Sequence, residues 1–158
     1  MKKVVLFILL IASFQVFGQI TISPSPFAVD ETITISVDTN SNATDCNGFS
    51  NPSKVYMHAG VGPDSNPWTH VVGNWGQDDG FGLMNDDDDD GVWTIEINPK
   101  TYFNLTNTEA NSITKMGMVF RNESGSQEFK DNGCNDFFFN VGNFQVTLVT
   151  PTKTSTPI

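Results

Sequence analysis

The chain has 158 residues, with 8 Lys and Arg against 18 Asp and Glu, for a formal net charge of −10 at pH 7. So acidic a surface repels phosphate backbones, which argues against nucleic acid as a partner, and it disfavours anionic polysaccharides in the same way. A neutral ligand would be indifferent to it.

The N-terminus reads as a secretory signal. Lys2 and Lys3 form a basic region ahead of the apolar run 4–14, which is shorter than a bilayer-spanning helix requires. Gly18 then offers a small residue before Gln19. Residues 1–18 are therefore expected to be cleaved, and the mature chain to be secreted, or held at the cell surface or in the periplasm. The alternative is an uncleaved membrane anchor. No cysteine directly follows the apolar run, so a lipid anchor is not expected, nor is membrane contact after cleavage. Removing Lys2 and Lys3 leaves 6 basic against 18 acidic side chains, a net charge of −12. The roughly 140 residues that remain are enough for one domain with its own core.

From there the dominant period is two. Ile33, Ile35 and Val37 alternate with Thr32, Thr34 and Ser36. Val55, Met57 and Ala59 alternate with Tyr56 and His58, and Trp93, Ile95 and Ile97 with Thr94 and Glu96. Met116, Met118 and Phe120 share one face of a strand; Phe137, Phe139 and Val141 share another, and Phe144, Val146 and Leu148 follow. Clusters of Asn, Asp, Gly and Pro separate these runs. The expected fold is all-β, an antiparallel immunoglobulin-like β-sandwich over 19–149. One short helical turn is expected at 107–113, where Thr106 and Glu109 make a capping box. The Thr/Ser/Pro/Lys stretch 150–158 reads as the start of a linker, so the parent is expected to continue into another module.

Cys46 and Cys134 are the two cysteines. An even count in an exported chain favours a disulfide, here closing a loop of roughly 90 residues and contributing on the order of 4–5 kcal/mol in the chain-entropy model.

Three groups of residues offer ligand chemistry. If Val55 and Met57 face the core, Tyr56 and His58 face the other way, about 7 Å apart. The loop that follows, GVGPDSNPW, can return Trp68 over the same face. Flat apolar rings beside polar groups are what sugar recognition needs. Trp75 and Phe81 lie in the glycine-rich segment GNWGQDDGFGLM, where exposed rings again suggest binding. The segment Ser126, Gln127, Lys130, Asp131 and Asn132 supplies donors and acceptors. The acid run Asp86–Asp90, followed by Gly91, opens like an EF-hand loop. Its twelfth position is Ile97, where a bidentate Glu is required. A solvated acidic turn is the expected reading, a structural calcium the alternative; no other metal and no cofactor are expected. Carboxylates are plentiful, but none sits in a hydrolase motif, so no catalytic residue is assigned.

Two of these segments resemble starch-binding carbohydrate-binding modules of families 25 and 26: VYMHAGVGPDSNPW at 55–68 and KMGMVFRNESGSQEFKDNGCNDFFFNV at 115–141. The resemblance implies that Tyr56, His58 and Trp68 stack an α-glucan; Trp75 joins them as a candidate contact from its own glycine-rich loop. Gln127, Lys130 and Asn132 would bond its hydroxyls. Similar modules often carry an aromatic just after the glycine of the 115–141 hairpin; here Gln127-Glu128 stands there. The opening ITISPSPFAVDETITISVD resembles the first strands of modules on secreted Bacteroidetes amylases. That implies a non-catalytic α-glucan-binding module (starch, glycogen or maltooligosaccharides as partner) at the N-terminus of an α-amylase-type enzyme of glycoside hydrolase family 13. Its catalytic domain would lie beyond residue 158. Two alternatives stand beside this reading: an immunoglobulin-like spacer or adhesion domain without a sugar site, and a small stand-alone enzyme.

Overall fold

The computed structural model describes residues 19–40, 49 and 52–142. The expected signal 1–18, Cys46, the expected strand around Phe144, Val146 and Leu148, and the tail 150–158 lie outside the described residues.

Two antiparallel sheets make up the fold. The smaller contains β1 (Ile20–Ser23), β2 (Ile33–Asp38) and β5 (Val92–Ile97), in the order β1-β2-β5. The larger contains β3 (Tyr56–Gly62), β4 (His70–Val72), β6 (Lys115–Arg121), β7 (Glu128–Phe129) and β8 (Phe137–Asn140). Its order is β4-β3-β6, and both β7 and β8 pair with β6, at Phe120–Arg121 and at Lys115–Met118 respectively. The all-β, antiparallel character agrees with the alternation in the sequence.

One hydrophobic cluster draws on both sheets. Ile33, Ile35 and Val37 enter it from β2, Met57, Ala59 and Val61 from β3, and Met116, Met118 and Phe120 from β6. Phe27, Phe129 and Phe137 close it. Strand β2 is buried at every second residue, as a sheet with one wet face should be.

Strands β3 and β6 depart from that pattern. Six of seven residues in each are buried, so the face turned away from the core is covered as well. The cover comes from the segments that carry the candidate site.

Two helical turns link β5 to β6, where one was expected. α2 (Asn107–Ala110) has the expected capping box, with Thr106 and Glu109 each closing the other's backbone. α1 (Pro99–Tyr102) was not foreseen, although its signal is local: Asn98 accepts from the Thr101 amide at 3.2 Å, and Pro99 opens the helix.

Ile35 is fully buried in this cluster. Ile35→Ala is expected to destabilise the domain by about 2–5 kcal/mol, the usual cost of emptying a core site, read as a lower urea midpoint with an unchanged slope.

Candidate functional site

The covered face of the larger sheet is defined by register. Tyr56, His58 and Gly60 on β3 stand opposite Arg121, Val119 and Gly117 on β6, and Gly117 pairs in turn with Phe138 on β8. All of these side chains, or the hydrogen that replaces one, point away from the core.

Gly60 and Gly117 leave a trough across the two strands, and Trp68 fills it. A Cβ at Gly60 would lie 2.6 Å from Trp68 Cε3, and one at Gly117 would lie 3.0 Å from Trp68 Cε2. The indole therefore rests on bare backbone. The loop between β3 and β4 holds it there: the Trp68 amide donates to Asn66 Oδ1 at 3.3 Å, and Thr69 Oγ1 donates to the Asn66 carbonyl at 2.9 Å. Phe138 reaches the same spot, since a Cβ at Gly117 would lie 3.0 Å from Phe138 Cε1, and about half of Phe138 is exposed.

His58 lies beside Trp68, ring centroids 5.8 Å apart and planes 22° apart. Trp75 meets His58 edge-on, at 5.4 Å and 87°. One indole is thus tilted little from the imidazole plane and the other stands almost upright on it, so the two indoles meet at a steep angle. Trp68 and His58 form a floor, and Trp75 a wall. Trp75 is 43 % exposed, while His58 and Trp68 are partly covered.

Tyr56 faces the same way as His58 but is only 1 % exposed, so it has no ring face to offer a ligand. The sequence reading placed it outward with His58; the loop 73–84 covers it. Its hydroxyl donates to Asp78 Oδ1, and the Arg121 guanidinium lies 4.5 Å over its ring. Asp78 also pairs with Lys54 at 2.6 Å. Hydrogen bonds from Lys54 and Tyr56 hold the Asp78 carboxyl below its usual pKa; burial, then the bond to Asp78, pushes the Tyr56 phenol up.

The polar candidates fall into two groups. Lys130 shares the ring-bearing face by alternation from Glu128, which stands opposite Arg121. It pairs with Glu128 at 3.2 Å and Asp136 at 3.5 Å. The backbone of Gln127 closes the hairpin turn: its amide donates to Asn122 Oδ1 at 3.1 Å and its carbonyl accepts from the Asn122 amide at 3.2 Å. Asn132 sits in a short exposed turn, its carbonyl accepting from Asn135 Nδ2 at 2.8 Å. Neither of these residues is brought against the rings by the contacts described. Phe81 is 60 % exposed at the far end of the Trp75 loop.

Asp86, Asp88 and Asp90 do converge, their oxygens within 4.8 Å of one another. Asp86 accepts from the amides of Asp90 and Gly91 at 3.1 and 3.0 Å, so the run is a turn leading into β5. Cys134 lies beside Asn135 at the mouth of the loop before β8, and no described cysteine is free. Its expected partner, Cys46, is outside the described residues.

Three residues of this face escaped sequence reasoning. Phe138 was legible in principle, because Phe137 and Phe139 share the core face and the residue between them must oppose them. The same alternation turns Arg121, beside Phe120, and Asp136, beside Phe137, away from the core, but nothing local marks their partners.

Burial, the largest effect, holds the His58 imidazole below its ordinary 6.5; Arg121 adds to this, while the Gly73 backbone and Asp136 oppose it. The folded state therefore binds fewer protons than the unfolded chain just below pH 6.5. Stability is expected to fall as the pH drops through that value toward the folded pKa, and to level off below it. Urea midpoints between about pH 7.5 and 5.5 should decline in the wild type and decline less in His58→Gln. An identical decline in both would assign the effect to another group.

No curated protein matches the chain at a significant level. One family model does, described as a domain of unknown function (DUF8578), over residues 20–129. That span is 110 of the 158 residues and takes in His58, Trp68, Trp75 and Arg121. The chain belongs to this family, DUF8578.

Proposed function

We propose that this chain is a non-catalytic carbohydrate-binding module for α-1,4-glucan, built as an immunoglobulin-like β-sandwich and exported by the signal at 1–18. The observation that carries the reading is the ring cluster of His58, Trp68 and Trp75, fixed on one sheet face with partly open surfaces.

The angle between the rings supports an α-linked ligand. A β-1,4 chain is a flat ribbon and suits coplanar rings. An α-1,4 chain turns at each linkage, so successive sugar faces are presented at an angle. A floor with a steep wall beside it fits the second shape. Stacking places C–H-rich sugar faces on the rings. Lys130, Glu128 and Asp136 stand on the same face to bond hydroxyls, with Phe138 as a further apolar contact. Tyr56 is a support in this site rather than a contact. Calcium at Asp86, Asp88 and Asp90 has no part in it, and the Cys46–Cys134 disulfide is proposed as the tie on the loop before β8.

A shallow site of this kind binds weakly alone and serves by keeping an attached enzyme close to its polymer. The parent is proposed to be an α-amylase-type hydrolase.

The test is affinity electrophoresis of the mature domain in gels containing amylopectin, laminarin or xylan. Retardation is expected in amylopectin alone, and it should be lost in Trp75→Ala, which removes an exposed ring with little effect on the core. Equal mobility in all three gels would refute the proposal.

A further inference from the structure

Arg121 ends β6 on the ring-bearing face and is fully buried. An arginine almost never is, unless its donors are satisfied. Here both terminal nitrogens are satisfied by backbone, while the buried Nε has no partner among the described residues. Nη1 donates to the carbonyls of Asn122 at 2.9 Å and Glu123 at 3.3 Å, and Nη2 to those of Asn74 at 2.7 Å and Gln77 at 2.9 Å. The four acceptors belong to two segments far apart in sequence. One pair opens the hairpin turn before β7. The other brackets Trp75, one residue before it and two after.

The nearby carboxylates are engaged elsewhere. Asp78 is held by Lys54 and Tyr56, and Asp79 by Asn74 Nδ2 at 2.7 Å and the Phe81 amide at 3.0 Å. Arg121 is thus a planar fork reading carbonyl positions, a task for which a lysine ammonium is poorly shaped. Across from the fork, the Trp75 indole lies against the hairpin turn: a Cβ at Gly125 would sit 2.8 Å from Trp75 Nε1, and one at Gly76 3.0 Å from the Ser124 carbonyl. The loop that carries Trp75 is therefore gripped through its backbone by Arg121 and seated against the turn that Arg121 also grips.

We infer that Arg121 is the positioning residue that sets the Trp75 wall at its angle to the Trp68–His58 floor. Being fully buried, it touches no ligand itself. This rests on the proposed glucan site for its functional meaning, but the placement of Trp75 can be tested without any ligand.

The test uses the protein labelled with 5-fluorotryptophan. Its three tryptophans give three fluorine signals, assigned by Trp→Phe variants. In Arg121→Lys and Arg121→Gln, shown to be folded by circular dichroism, the Trp75 signal is expected to move toward that of a free indole. The Trp93 signal should stay in place. Affinity for amylopectin should weaken by about tenfold, the scale of one lost ring contact. A Trp75 signal unmoved in a folded variant would overturn the inference. If neither variant folds, hydrogen exchange on the wild type decides. The clamp requires the amides of 74–77 and 122–125 to open together in mild urea as the Trp75 signal broadens, and independent opening would contradict it. The fluorine and exchange readouts judge the clamp alone. A wild type that ignores amylopectin refutes the glucan site and leaves that judgement standing.

Discussion

The site depends on an absence. Gly60 and Gly117 face each other across β3 and β6, and neither has a side chain to fill the outer face of the sheet. Any larger residue would occupy the space where the Trp68 ring now lies, with contacts too short to keep. Because the ring can drop onto backbone, it becomes a low floor rather than a protruding wedge, and His58 can lie almost parallel beside it. The loop before β4 must then fold back over its own strand. That is why β3 is buried on both faces although only one of them belongs to the core.

The second support is polar and more costly. A buried guanidinium gives up its solvation and must be compensated by hydrogen bonds. Arg121 has four carbonyl bonds and an aromatic ring beneath it as compensation, with Nε left unpartnered among the described residues. What it contributes is direction: four carbonyl oxygens from two loops lie in reach of one guanidinium plane. The Lys54–Asp78–Tyr56 chain adds a second tie on the same loop, on a partly exposed edge where its energetic weight is small.

Much of the frame was legible in the sequence. Period-two alternation located β2, β3, β5, β6 and β8, because the core side chains of each strand recur at i and i+2. The capping box at Thr106 and Glu109 was legible because it is complete within four residues. The reading of Tyr56 went astray for the opposite reason. Alternation gave its direction, but what covers it is Asp78, well along the chain in a later loop, and Arg121, farther still at the end of β6. No local pattern encodes a loop folding across a sheet. Lys130 reached the ring-bearing face because strand alternation carries it there. Gln127 and Asn132 lie in turns, where orientation follows from hydrogen bonds a sequence does not display.

The central claim is that Trp68 and Trp75 together form a glucan-binding corner. The most direct measurement is an NMR titration of the indole N–H signals with maltoheptaose. Trp93, on β5 in the other sheet, serves as an internal control. The account predicts that the Trp68 and Trp75 signals shift together along one saturating curve while Trp93 stays fixed. Three stationary signals, or a shift confined to Trp93, would contradict it.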